Sequence, residues 1–107
     1  MSAAVVIDMT EQRLVDTTDV FSGPLTKVEI VQVPPGTTHR VHALGAEFSV
    51  FTLHGSGTVR RGAEEAVLAE GVCVTLPLGP PTDVTAGPDA LEIFVATLAT
   101  PRAEGQL

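Results

Sequence analysis

The sequence is short of cysteine, of basic residues and of long apolar runs, and each shortage removes a class of function. Its single cysteine, Cys73, forms no internal disulfide, which suits a reducing cytoplasm. The apolar neighbours of that residue, in "GVCVTLP", read as the surroundings of a buried small hydrophobe. Six basic residues stand against thirteen acidic ones, for a net charge of −7. A surface of that sign repels phosphate backbones and anionic headgroups, so neither nucleic acid nor membrane is an expected partner. The pair Arg60-Arg61 is too small to make a binding stripe. No apolar run is long enough to cross a bilayer, and the opening MSAAVVIDMTEQR lacks the basic head of a signal peptide. A cytoplasmic location is the resulting expectation. No phosphate loop, nucleotide fingerprint, Cys-His pair or serine-nucleophile motif is present to name a reaction.

What is present reads as one domain over residues 1–107, all-β. Hydrophobic residues make up 44% of the chain and charged ones 18%, a globular composition. Short segments rich in Val, Thr, Leu and Phe predict strands at Val5–Met9, Leu25–Val33, Phe48–Leu53, Gly57–Arg61, Ala66–Leu68, Val72–Leu76, Val84–Ala86 and Leu91–Leu98. Between them lie turn clusters such as Pro34-Pro35-Gly36 and Gly79-Pro80-Pro81. No helical period is sustained, although Thr10–Thr17 is long enough for a short turn or helix. Strands punctuated this often predict a sandwich or closed barrel. Met1–Val20 is expected to act as an N-terminal strand or arm, and the polar tail PRAEGQL to fray.

Glycines, prolines and histidines fall in a spaced frame. Gly36 is followed by five residues and then His42, and "LHGSG" closes a turn at Gly55. Further on, Gly71 runs through five residues to Pro77, Leu78 and Gly79, then two prolines, Thr82, three residues and Ala86. From about Leu25 to Leu98 this frame resembles the cupins, small jelly-roll barrels also described as double-stranded β-helices. The family's first motif is a glycine, five residues, His-x-His, a spacer, a glutamate, six residues and a glycine. Its second motif sets a histidine and an asparagine after a Pro-x-Gly turn. The fifteen residues Ser56 to Glu70 between the motifs match compact microbial members. The resemblance therefore implies a cupin jelly roll with its site inside the barrel.

At the family's metal-ligand positions this chain carries different chemistry. The two first-motif histidines fall on His42 and Leu44, the glutamate on Phe48, the second-motif histidine on Thr82 and the asparagine on Ala86. A divalent transition metal wants three or four donors converging on one point, and leucine and phenylalanine supply none. No cofactor is therefore expected. A slipped register, with a bulge in the Phe48–His54 strand, keeps open a set of His42 and Glu47 joined by His39 or His54. In an extended chain Arg40, His42 and Leu44 share a face, as do Phe48, Val50, Thr52 and His54. By resemblance these faces line the barrel, and Thr82 projects into it.

That makes a mostly apolar small-molecule pocket with His42 as its catalytic acid–base group and Arg40, Leu44, Phe48, Val50, Thr52, His54 and Thr82 as substrate-binding residues. The chemistry this permits is metal-independent proton transfer of isomerase, epimerase, dehydratase or cyclase type. Two alternatives stay open: a non-catalytic ligand-binding or accessory cupin, and a metal-dependent oxygenase or isomerase. Apolar residues on both faces of "LEIFVATLA" further suggest a homodimer.

Overall fold

A computed structural model describes residues 6–100 of the chain. Among the described residues it contains β1 Leu14–Asp16, β2 Leu25–Val33, β3 Thr38–Val41, β4 Ala46–His54, β5 Gly57–Arg61, β6 Glu64–Leu68, β7 Cys73–Leu76, β8 Thr82–Ala86 and β9 Leu91–Ala99. A single 3-10 turn, Thr17–Asp19, links β1 to β2. Strands pair antiparallel throughout, in one sheet of order β1-β2-β9-β4-β7 and another of order β3-β8-β5-β6. This is the jelly roll that the resemblance implied. No helix among the described residues is long and apolar enough to cross a membrane.

Alternation in the sequence sets the layers. Along β9, Leu91, Ile93, Val95 and Thr97 are buried while Glu92, Phe94, Ala96 and Leu98 are half-buried on the opposite face. Side chains of a strand point to opposite faces in turn, so β9 presents one largely apolar ridge to the second sheet. Val33, Phe48, Val50, Leu76, Val84, Leu91, Ile93 and Val95 meet there, none more than 5% exposed. Each full burial of such a side chain contributes about 1.5–3 kcal/mol, so this layer is the main source of stability. The interior is a packed core and not an open chamber.

The motif frame is visible in the backbone. Gly36, Gly55 and Gly71 all take positive φ, at +71°, +87° and +86°. A β-carbon is unfavourable in that region, which explains why glycine opens or closes each motif.

Several expectations need correcting. Within the predicted strand Val5–Met9, residues 6–9 form no strand; the first strand among the described residues begins at Leu14 and pairs with β2. Val5 itself and the tail Pro101–Leu107 lie outside the described residues. β3 was not among the predicted strands, because its four residues are too few to show a period. Cys73 is exposed and not buried. It stands on the outer side of the edge strand β7, with its Sγ 3.3 Å from Ser49 Oγ, while Val74 and Leu76 turn inward.

Candidate functional site: two open edges of the sandwich

The two sheets part along both sides of the packed core, and each gap is a cleft. One lies where β2 meets β3, with a volume of about 250 Å³, and is lined by Lys27, Glu29, His39, Arg40, Val41, His42, Phe48 and Val95. The other, of about 140 Å³, lies between β5, β6 and β7 and is lined by Val59, Arg61, Glu64, Glu65, Ala66, Val74, Thr75, Leu76 and Pro77.

The β2–β3 cleft is built by a short strand whose phase opposes the expected one. Val41 is the bulky aliphatic residue of β3 and is buried, which turns His39 inward with it and sends Thr38 and Arg40 outward. Arg40 therefore does not reach into the barrel. Its Nε donates to Asp83 Oδ1 on β8 at 2.9 Å, an ion pair in which the arginine side chain is 64% exposed. That hydrogen bond holds the Asp83 carboxyl below the usual carboxylate range and raises the Arg40 guanidinium above its ordinary value. The strand ends at Val41, so His42 is exposed at the cleft mouth and Leu44, at 92% exposure, is on the turn before β4. Leu44 lines neither cleft, contrary to expectation. On the β2 side Lys27 and Glu29 face the same space, 3.7 Å apart.

On β4, Phe48 is 5% exposed and closes the floor of the cleft; Val50 and Thr52 behind it are fully buried. Val50 and Thr52 are thus core residues and not ligand contacts. His54 is at the opposite end of the same strand, its side chain 73% exposed, with Glu70 and Glu92 oxygens 3.6 and 3.8 Å from its ring nitrogens. His42 and His54 do not converge.

The cupin fold implies a metal, and the residues here do not fit one. A register shift is present in β4 between Thr52 and His54, within the Phe48–His54 span that the slipped reading named. It lies beyond Phe48, so it leaves Phe48 inward and Glu47 outward. Glu47 instead accepts a hydrogen bond at 3.2 Å from the backbone N–H of Leu78, tying β4 to the β7–β8 bend. Among the described residues no three His, Cys, Asp or Glu side chains gather in metal-binding geometry. At the second-motif histidine position, the buried Thr82 hydroxyl accepts from Arg61 Nε at 2.8 Å.

Arg61 is the residue that the sequence pattern did not single out. Val59 is buried, and two residues later on the same strand face the Arg61 side chain also points inward. Its Nη1 donates to the Pro77 carbonyl at 2.6 Å. Arg60 points the other way, 3.9 Å from Glu65. Treating β5 as alternating, and not Arg60-Arg61 as a pair, would have found it.

No protein-family model matches the chain, and no curated protein does either. Solved structures do. The cupin domain of Schizosaccharomyces pombe Cnp3 aligns with TM-score 0.64 at 15% identity over 73% of this chain, which spans 55% of that one. The TT1209 protein of Thermus thermophilus aligns with TM-score 0.64 at 30% identity, covering 77% of this chain and 80% of its own. A cupin protein of Bacteroides fragilis covers the whole of this chain and 93% of itself, with TM-score 0.73 and 16% identity.

Proposed function

This chain is a small cupin domain, and we propose that it binds a small polar molecule in the β2–β3 cleft and not at the barrel centre. One observation carries the proposal. Phe48 and its buried neighbours fill the centre, while Lys27, Glu29, His39 and His42 gather at the one edge beside it. A volume of about 250 Å³ is just under the roughly 300 Å³ at which ordinary ligand pockets begin. The ligand is accordingly small, and the polar lining favours one with hydrogen-bonding groups over a hydrocarbon.

A second reading, metal-independent proton transfer, draws support from His42. It occupies the first-motif histidine position and lines the same cleft as His39 and Glu29. An imidazole can both accept and donate a proton through its ring nitrogens, so it is suited to move a proton to or from a bound substrate, as in isomerisation, epimerisation, dehydration or cyclisation.

Both readings are tested by following the imidazole resonances of His39 and His42 while small polar metabolites are titrated in. A ligand of this site shifts both rings, and His42→Ala weakens its binding by about tenfold or more. Hits that leave both rings unmoved, or that bind His42→Ala as tightly, would remove the cleft as the site. Catalysis further requires that a hit exchange carbon-bound hydrogen with deuterated solvent, and that His42→Ala abolish the exchange.

A further inference from the structure

Four of the five described Lys and Arg side chains hold a carboxylate oxygen within 4.0 Å: Arg13, Lys27, Arg40 and Arg60. Among the described residues Arg61 alone has no such partner. In a chain with thirteen acidic residues against six basic ones, that is unexpected. Glu64 stands directly across the β5–β6 pair from Arg61, yet no ion pair joins them. The guanidinium is drawn toward the barrel instead.

Its anchoring is well defined. Nε donates to Thr82 Oγ1 and Nη1 to the Pro77 carbonyl, and Thr82 is fully buried. Gly79 leaves room for the group, since a methyl there would come within 3.0 Å of Nη1. A guanidinium carries five N–H donors, so three are left without a protein acceptor among the described residues. A planar fork with fixed orientation and free donors matches a carboxylate, which it can grip with two parallel hydrogen bonds.

The adjoining cleft has the shape of a short organic tail. Val59, Ala66, Val74 and Leu76 form apolar walls around about 140 Å³. That is close to the roughly 150 Å³ of an engineered apolar cavity that accepts benzene. From the unpaired cation and these walls, we infer that the β5–β6–β7 cleft is a second ligand site, specific for a short monocarboxylate. Its carboxylate lies on Arg61 and its branched aliphatic or single-ring tail lies on Val59, Ala66, Val74 and Leu76. Glu64 and Glu65 line the same cleft and disfavour a second negative charge, so dicarboxylates are rejected. This site is independent of the β2–β3 cleft and stands or falls separately.

The test is titration of the isotope-labelled full chain with isovalerate, benzoate and isovaleramide. The two acids are expected to shift the Arg61 Nε–Hε resonance and the backbone amides of Ala66 and Val74 saturably, and the neutral amide to leave them in place. Arg61→Gln should weaken acid binding at least about tenfold, and Glu64→Gln should strengthen it about two- to threefold. His42→Ala should change neither. If Arg61→Gln does not fold, Arg61→Lys keeps the charge without the fork and is expected to bind the acids more weakly than the native chain. Absence of any saturable shift with both acids, equal shifts with isovaleramide, or acid binding unchanged in the Arg61 variant would overturn the assignment.

Discussion

The two edges of the sandwich hold arginines in opposite states. At the β2–β3 edge, Arg40 lies on the outer side of its strand, is largely exposed and is neutralised by Asp83. At the β5–β6–β7 edge, Arg61 lies on the inner side, half-buried, and bonds to neutral oxygens of Thr82 and Pro77. One residue of phase along a strand separates the two outcomes. A paired, solvated arginine contributes little beyond solubility. An unpaired one held by neutral acceptors keeps its charge available to something else.

The core between the edges is the first place to break that comparison. Phe48 forms the floor of the β2–β3 cleft and faces Leu76 across the β4–β7 pair, which itself lines the other cleft. Phe48→Ala should cost about 3–5 kcal/mol in chemical denaturation and let the two clefts communicate. A loss below about 1 kcal/mol would mean that the centre is not packed as described.

Thr82→Val is the next test, because it keeps the shape and removes the acceptor of Arg61 Nε. It should destabilise by about 1–3 kcal/mol, since a half-buried cationic donor loses its partner. It should also loosen the Arg61 side chain, seen as a narrowed or lost Nε–Hε resonance. Stability equal to the native chain would show that the Thr82 bond does not fix the guanidinium.

The smallest effect belongs to the exposed pair. Asp83 has a depressed folded-state pKa, caused first by the Arg40 hydrogen bond. A depressed carboxylate stabilises the fold above its unfolded pKa, and the contribution fades as pH falls through the lower folded value. Asp83→Asn should therefore leave stability near neutrality almost unchanged and flatten its decline below about pH 4. An Asp83 carboxyl that titrates at its ordinary value would refute the pairing.

Strand phase also explains what could be read from the sequence. β2 and β5 match the predicted spans to the residue, because each is a run of β-favouring residues bounded by turn signals. The glycine–proline frame led to the fold because its glycines need backbone conformations that other residues resist. The candidate site was less legible. In "THRVHAL" the motif resemblance put Arg40, His42 and Leu44 on the inward face, but Val41 is the residue that enters the core and the strand stops there. Leu44 sits on a turn, where apolar character carries no information about direction. Cys73 misled for the opposite reason: Val74 and Leu76 turn inward on one face of the strand, and Cys73 stands on the other.

Among the described residues strand β6 is outermost in its sheet, so one row of its amide and carbonyl groups has no described strand beside it, and Val67 is 72% exposed. Glu64 and Glu65 at its start oppose pairing of that ribbon with another chain by placing acidic side chains on it. The chain's surplus of acidic over basic residues opposes association in the same way, and it shrinks as pH falls toward the isoelectric point. Concentrated stocks should therefore stay clear longest well above the isoelectric point and cloud first as it is approached.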